Sequence, residues 1–180
     1  WPARVMSLVG PQGSGKSHLA AIWAEATGAR VLAGKLLSET DLPAAFATGA
    51  LVVEDVETAG LDERALFHLL NLARDQDAYV LLTARAAPAG FAVSIRDLAS
   101  RLRAVPAVAL APPDDVLLRS LIVKLAADRQ LVVDEALVNY LVNRIERSFA
   151  AAHVAVVRLD EEAMRQHRPV TRALAAELFR

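Results

Sequence analysis

The stretch Gly10-Pro11-Gln12-Gly13-Ser14-Gly15-Lys16-Ser17 fits the pattern Gly-x-x-x-x-Gly-Lys-Ser, in which a glycine-rich turn precedes a lysine and a hydroxyl residue. Glycines at positions 10, 13 and 15 have no Cβ atom, so backbone N–H groups can turn inward around a chain of phosphates. Lys16 would supply a cation to the β- and γ-phosphates, and the Ser17 hydroxyl suits Mg²⁺. A glycine-rich turn that matches by chance is the alternative.

The surroundings of this stretch decide between the two interpretations. The apolar run Val5–Val9 predicts a buried strand that ends at Gly10. The residues after Lys16 predict a helix that ends at Gly28, with an apolar face of Leu19, Ile22 and Trp23. A helix that begins at the turn directs its free N–H groups at the same anion, so this context favours a phosphate-binding loop. The residues predicted to bind a nucleoside di- or triphosphate are Gly10, Gln12, Gly13, Ser14, Gly15, Lys16, Ser17 and His18.

Short apolar runs and helical patterns alternate after the loop. The runs predict further strands at Ala29–Ala33, Ala50–Val53, Tyr79–Thr83 and Ala107–Leu110. A helix is predicted over Asp62–Arg74, with one face formed by Leu66, Leu69, Leu70 and Ala73. This alternation favours an α/β fold, a parallel five-stranded sheet with helices on both faces.

Only helical patterns follow Pro112-Pro113. The first begins at a cap formed by Asp114 or Asp115, with a face of Leu117, Leu118, Leu121, Ile122 and Leu125. Asp134 caps a second helix, a third is predicted over Glu146–Met164, and a fourth follows Pro169. We therefore expect an α/β nucleotide-binding domain over residues 1–111 and a small all-α lid domain over residues 112–180.

Composition excludes several classes of protein. With 54% hydrophobic and 23% charged residues the chain can build a core, and its net charge of −1 is not that of a basic nucleic-acid module. The absence of cysteine excludes disulfides, thiolate metal sites and a cysteine nucleophile. The apolar runs are shorter than the ~20 residues that a membrane span needs. We expect a cytoplasmic protein without membrane contact.

The acidic pair Glu54-Asp55 ends the third predicted strand. At this place Glu54 could hold the Mg²⁺ ion, and Asp55 could orient the attacking water. A solvated strand end is the alternative interpretation.

The phosphate loop, the acidic pair and the helical tail resemble AAA+ ATPases, and most closely the DnaA/Hda family. Three segments carry this resemblance: Gly13–Leu19, Leu98-Ala99-Ser100-Arg101-Leu102, and Arg147-Ser148-Phe149. The resemblance covers essentially the whole chain. The implied fold is an AAA+ P-loop domain followed by a lid, and the implied nucleotide is ATP or ADP.

The resemblance implies roles for three further residues. Arg101 would be an arginine finger that stabilises charge on a nucleotide bound by a neighbouring subunit. Arg147, in the first turn of a lid helix, would contact the chain's own nucleotide. Thr83 would offer a hydroxyl near the γ-phosphate. The alternatives are an ordinary exposed helix arginine for Arg101 and, for Arg147, an ion pair with Glu146 or Asp160.

The length of the chain bears on the partners that the resemblance implies. The chain reaches Arg180 without a helix-turn-helix segment, which favours the Hda-like branch. Proteins of this branch are thought to dock on the DNA polymerase sliding clamp, here through a segment expected upstream of Trp1, and to promote hydrolysis of ATP bound to DnaA. Sequence-specific DNA binding is not expected, and homo-oligomerisation is left open.

Departures from the family pattern concern hydrolysis more than binding. Glu54 stands where the family usually has Asp, and Arg85 stands where relatives carry an acidic sensor. We therefore expect an activator of a partner's ATPase rather than an efficient ATPase. Two alternatives stay open: a self-sufficient ATPase, either a helicase loader or a DnaA core, and a nucleotide-independent scaffold. The segment near Trp1-Pro2 and the lid are expected to contact the base.

Overall fold

The computed structural model describes Trp1, residues 3–57 and residues 60–179, and these residues form two compact units. The first unit contains Trp1–Pro11 and Gly15–Leu110. The second contains Gln12–Ser14 and Ala111–Arg180.

The first unit is a parallel sheet with helices in its connections. Its elements in chain order are β1 (Val5–Val9), α1 (Lys16–Thr27), β2 (Arg30–Ala33), α2 (Leu42–Ala45), β3 (Ala50–Glu54), α3 (Glu63–Asp75), β4 (Tyr79–Ala84), α4 (Arg96–Ala104) and β5 (Ala107–Ala109). The strands lie in the order β2-β3-β4-β1-β5, and every pair is parallel. The predicted five-stranded parallel sheet is confirmed, with strand ends that differ from prediction by one residue.

Helix α1 packs on one face of this sheet. Alternate residues of a strand point to opposite faces, so only one set of strand residues meets this helix. Val52 and Leu81 form a cluster with Ala20 and Ala24 of α1. The predicted apolar face of this helix is therefore largely wrong: Leu19 and Ile22 are 43% and 51% exposed. Small alanines face the sheet instead, and they allow the helix to approach it closely.

Helices α3 and α4 contribute to the core on the other face. Leu66, Leu69, Leu70 and Ala73 of α3 are buried, as predicted. Helix α4 was not predicted as an element, because only Leu98 and Leu102 are buried in it and its N-cap Ile95 has no side-chain cap. The arginine proposed as a finger is carried by this helix.

The second unit contains α5 (Asp115–Asp128), α6 (Glu135–Val142), α7 (Phe149–Gln166) and α8 (Arg172–Leu178), packed around their own apolar cluster. Helix α5 is capped by Asp114, and Leu117, predicted on its inner face, is 46% exposed. The predicted start of the third helix at Glu146 is wrong. Ser148 is extended and its Oγ accepts from the N–H of Ala151, so the helix begins at Phe149. Among the described residues, none of the helices combines the length and apolarity that crossing a membrane requires.

Candidate nucleotide-phosphate site

The glycine-rich loop joins the carboxyl end of β1 to the first residue of α1, as predicted. Gly13 and Gly15 have φ angles of 75° and 92°, in the left-handed region that other residues adopt only at a cost. Gly15 is the N-cap of α1, and its carbonyl accepts from the N–H of Leu19 at 3.0 Å. The first N–H groups of the helix are thereby free to bind an anion.

Lys16 is held inside this loop. Its side chain is buried, and its Nζ donates to the carbonyl oxygens of Gly10 at 2.9 Å and Pro11 at 2.8 Å. An ammonium group has three donors, and these two bonds leave one for a ligand. These neutral carbonyls are the partners of Lys16 among the described residues, and a buried cation paired in this way favours the approach of an anion.

Three side-chain polar atoms are buried without a hydrogen-bond partner in the described part of the chain: Ser7 Oγ inside β1, Ser14 Oγ in the loop and Glu54 Oε1 at the end of β3. The last two lie at the predicted site, where a ligand or an ion could supply the missing partner. The remaining predicted loop residues Gln12, Ser17 and His18 are exposed. Their side chains are therefore accessible to a bound nucleotide.

The acidic pair lies at the same edge of the sheet as the loop. In the sheet, Leu8 of β1 is paired with Thr83 of β4, and Val53 of β3 is paired with Leu82 of β4. Glu54 is the next residue of β3, so it lies beside Thr83. Since β4 lies between β1 and β3, Thr83 stands between the strand that enters the loop and the strand that ends in the acids.

Thr83 also fixes the turn that carries Asp55. Asp55 has a left-handed φ of 54°, and its N–H donates to Thr83 Oγ1 at 3.0 Å. The Thr83 carbonyl accepts from the N–H of Val56 at 2.8 Å. The fully buried hydroxyl keeps its own proton to donate.

Gly34 supports the acidic turn, and sequence analysis missed it. A Cβ atom at Gly34 would lie 3.1 Å from the carbonyl oxygens of both Glu54 and Asp55. The only sequence signal for this role is that Gly34 directly follows a predicted strand. Neighbouring parallel strands end at the same edge of a sheet, so a residue in this position can meet the end of the next strand.

The donor set fits a magnesium nucleotide. Within the described ranges, no group of three or more histidine and acidic side chains gathers as a metal site. Mg²⁺ does not need one, because it usually keeps several waters and takes one or two protein oxygens together with phosphate oxygens. The buried unpaired oxygen of Glu54 and the exposed hydroxyl of Ser17 match this requirement.

Arg101 lies on α4 against its own chain. Its Nε lies 3.4 Å from Asp97 Oδ2, its Cζ lies 5.1 Å from the ring centroid of Phe67, and its side chain is 26% exposed. These are weak restraints at a partly exposed position.

Glu63 anchors the start of α4, and sequence analysis missed this role as well. Its carboxylate accepts from the Ser94 N–H at 2.9 Å, the Ser94 hydroxyl at 2.8 Å and the Ile95 N–H at 3.0 Å. The backbone N–H groups of Ser94 and Ile95, followed by the Ser94 hydroxyl, hold the pKa of Glu63 below its ordinary value. The partners are 31 and 32 residues apart, so no local pattern could reveal them.

Arg147 and Arg85 both form ion pairs. Arg147 precedes α7 rather than lying in its first turn, and it pairs with Asp115 at 2.8 Å instead of with Glu146 or Asp160. Arg85 pairs with Glu57 at 2.9 Å, although its side chain is 63% exposed.

Gly13 makes close contacts within the second unit. Its carbonyl accepts from the N–H of Phe149 at 2.8 Å. A Cβ atom at Gly13 would lie only 2.9 Å from the Cβ of Ser148. Both the backbone angle and the space therefore require glycine here.

An aromatic cluster occupies the amino edge of the sheet. Trp1 stacks on Trp23 at 4.9 Å between ring centroids, and it meets the ring of Tyr79, the first residue of β4, edge-on at 5.5 Å. Trp1 is therefore held by two aromatic rings, one of them on α1. A base contact near Trp1-Pro2 stays a prediction for Trp1, and Pro2 lies outside the described residues.

No protein-family model and no curated protein sequence matches this chain. Similar solved structures include domain III of the replication initiation protein DnaA from Thermotoga maritima, with a TM-score of 0.76 and 18% identity over 97% of this chain and 82% of that one. The chain has an AAA+ P-loop fold.

Two further structures support the same fold. AMPPCP-bound DnaA from Aquifex aeolicus has a TM-score of 0.67 and 18% identity, covering 90% of this chain and 59% of that one. The Thermotoga maritima RuvB Holliday junction branch migration motor has a TM-score of 0.74 and 18% identity, covering 96% and 59%. The chain thus spans somewhat more than half the length of these two structures, and at this identity the likeness concerns the fold alone.

Proposed function

We propose that the chain binds ATP or ADP with Mg²⁺ at the carboxyl edge of its sheet. The observation that carries this proposal is the buried Lys16 ammonium, which within the described part of the chain bonds only to loop carbonyls, beside glycines with left-handed φ angles. The bound AMPPCP of the similar DnaA structure supports it.

The proposed contacts follow from the donors present. Lys16 and the N–H groups of the loop bind the phosphates, and Ser14 Oγ donates the hydrogen bond that it lacks within the protein. Ser17 and Glu54 hold Mg²⁺, which when bound neutralises phosphate charge. Asp55 and Thr83 orient a water at the γ-phosphate. Residues 1–111 form the nucleotide-binding domain and residues 112–180 the lid of this proposal.

We further propose an Hda-like regulatory role, in which the nucleotide-bound chain works with the sliding clamp to promote hydrolysis of DnaA-bound ATP. Arg101 is the proposed finger. Its single long ion pair and its aromatic contact cost little to break, so the guanidinium can turn to a phosphate on a partner. Arg147 would exchange Asp115 for the chain's own nucleotide.

The finger is tested by adding the chain, Mg-ADP and clamp-loaded DNA to ATP-bound DnaA and measuring phosphate release. We expect Arg101→Ala to lose about 10³-fold or more of the stimulation, since trans arginines contribute on this scale. Arg103→Ala is the matched control, because Arg103 is exposed on the same helix. Normal stimulation by Arg101→Ala, or an equal loss in Arg103→Ala, would disprove the assignment.

A self-sufficient ATPase is the second candidate. The unpaired buried oxygen of Glu54 and the available Thr83 hydroxyl proton favour it, because hydrolysis needs a metal ligand and a water-orienting group. Steady ATP turnover by the isolated chain that Asp55→Asn abolishes would establish this candidate. ADP retention without turnover would support the regulatory role instead.

A further inference from the structure

A polar cleft in the second unit takes no part in the proposed function. It has a volume of about 400 Å³ and is lined by Ala136, Asn139, Tyr140, Asn143, Arg144 and Arg172. We call it the arginine cleft. Among the described residues its lining contains two guanidinium groups and no carboxylate, which makes it a local concentration of positive charge on a chain of net charge −1.

The two arginines converge on one tyrosine. The Cζ atoms of Arg144 and Arg172 lie 5.5 and 5.8 Å from the ring centroid of Tyr140. The ring is itself fixed, because its hydroxyl donates to the carbonyl of Phe179 at 2.8 Å. Cation–π attraction of this kind holds two like charges near each other without neutralising either.

Neither arginine is paired within the described residues: no salt bridge or side-chain hydrogen bond joins Arg144 or Arg172 to them. Arg168, close by in sequence, behaves differently, since it lies 3.5 Å from Glu177. Exposed unpaired arginines are common by themselves. This pair is distinguished by the Tyr140 ring that both arginines share, and by a concave lining without carboxylates among the described residues.

The asparagines of the arginine cleft add neutral donors. Asn139 Oδ1 accepts from the guanidinium of Arg119, which fixes the orientation of the amide and leaves the Nδ2 hydrogens of Asn139 unused within the described residues. Asn143 Nδ2 donates to the backbone carbonyl of Asn139 at 2.8 Å. The cleft therefore presents guanidinium and amide N–H groups together.

We propose that the arginine cleft binds a phosphate group, supplied either by a nucleic-acid backbone or by a free phosphorylated molecule. Guanidinium forks match phosphate oxygens in pairs. A tetrahedral phosphate has enough oxygens to accept from both arginines and an amide at once, whereas a carboxylate offers two oxygens in one plane. Binding through phosphate alone carries no base sequence preference, and it weakens as salt rises.

The test uses the full chain and two probes at low salt. A fluorescein-labelled oligothymidylate is followed by anisotropy, and inorganic phosphate by NMR shifts of the arginine Nε–H signals. The double substitution Arg144→Ala/Arg172→Ala should weaken oligonucleotide binding about tenfold or more. It should reduce the salt slope by about 0.7, because the two arginines share one phosphate and each single-strand phosphate contact contributes about 0.7. Arg168→Ala is the matched control, and thermal melts show that each variant folds.

Each outcome decides. Oligonucleotide binding that the double substitution removes and Arg168→Ala preserves supports the proposal, with a nucleic-acid backbone as the source. Phosphate-induced shifts of Arg144 and Arg172 without oligonucleotide binding support it with a free phosphate as the source. The proposal fails if neither probe reaches the two arginines, if Arg168→Ala weakens binding equally, or if polyglutamate binds more tightly than the oligonucleotide.

Discussion

The two edges of the sheet in the first unit are built in opposite ways. At the amino edge, rings pack on rings and the charges are paired: Trp1 stacks on Trp23, and Arg4 lies 2.5 Å from Asp77 and over the ring of Tyr79. At the carboxyl edge, by contrast, Glu54 Oε1 is buried without a hydrogen-bond partner among the described residues, and the buried Lys16 Nζ donates only to two loop carbonyls there. A left-handed φ occurs at both edges, 56° at Asp77 and 54° at Asp55, so the backbone does not distinguish them.

This difference shows where buried polar groups lack protein partners. Buried polar atoms are nearly always paired in folded proteins, so the unpaired oxygen of Glu54 indicates a place for a partner. At the amino edge the aromatic rings and the Arg4–Asp77 ion pair contact each other, so these groups need no ligand. At the carboxyl edge an anion would pair with Lys16 and a cation with Glu54, and this is the basis of the nucleotide proposal.

The largest expected effect is that of Lys16→Ala. It removes a charge-assisted contact to phosphate, for which we expect a loss of about 3 kcal/mol, or roughly 100-fold in Mg-ADP affinity by calorimetry. Lys124→Ala, a change of an exposed lysine in α5, is the control and should bind like the parent chain. Equal affinities of the two variants would remove Lys16 from the site.

A pair of glycine substitutions compares the two edges directly. Gly13 and Gly49 have nearly the same φ, 75° and 74°, but a Cβ at Gly13 meets Ser148 at 2.9 Å, while nothing lies within 4 Å of one at Gly49. Both changes to alanine should cost about 1–2 kcal/mol of stability for the left-handed backbone.

Only Gly13→Ala should destabilise further and also weaken Mg-ADP binding, because it alone adds a clash and alters the loop. Urea unfolding and calorimetry measure the two effects. If Gly49→Ala impaired nucleotide binding as much, the contrast between the edges would be wrong.

Thr83→Val is expected to have a smaller effect. It removes the hydroxyl that accepts from the N–H of Asp55, which should cost about 1 kcal/mol in urea unfolding. Thr48→Val is the control near the amino edge. It removes an exposed hydroxyl that donates one long hydrogen bond, of 3.3 Å, to the Ala50 carbonyl, and it should change the free energy of unfolding by less than about 0.5 kcal/mol. A Thr83 variant as stable as the Thr48 variant would mean that the acidic turn does not depend on this bond.

The smallest effect concerns pH. Because the folded state holds the pKa of Glu63 below its ordinary value of 4.5, ionised Glu63 stabilises the fold above that value. This contribution is lost as pH falls through the lowered pKa. Glu63→Gln should therefore be less stable than the parent at neutral pH, and its urea midpoint should fall less steeply below about pH 4.5. Glu161→Gln, at an exposed residue of α7, should keep the parent's pH dependence.

Much of this architecture could be predicted because local patterns determine it. The short apolar runs identify all five strands, and the spacing of Leu66, Leu69, Leu70 and Ala73 identifies the buried face of α3. The face of α1 was mispredicted, because the sequence shows which residues are apolar and not how closely a helix approaches a sheet. The alanines Ala20 and Ala24 allow a close approach there.

The residues of the candidate site also fall into two groups, those that a local pattern reveals and those that only the fold brings together. The phosphate loop is contiguous and could be read directly. Glu63, Gly34 and the Thr83–Asp55 hydrogen bond join residues distant in sequence, so only the folded sheet brings them together. Arg147 was placed inside a helix because no glycine or proline marks its start. The cap that sets this start, Ser148, is one residue further on.

The central claim is that the carboxyl edge binds phosphates, and calorimetry of the unmodified chain with Mg-ADP and with adenosine tests it most directly. We predict saturable binding of Mg-ADP at a single site, with adenosine binding far more weakly because it lacks the phosphates that the loop recognises. No heat from Mg-ADP at millimolar concentration, or equal affinity for adenosine, would contradict the account.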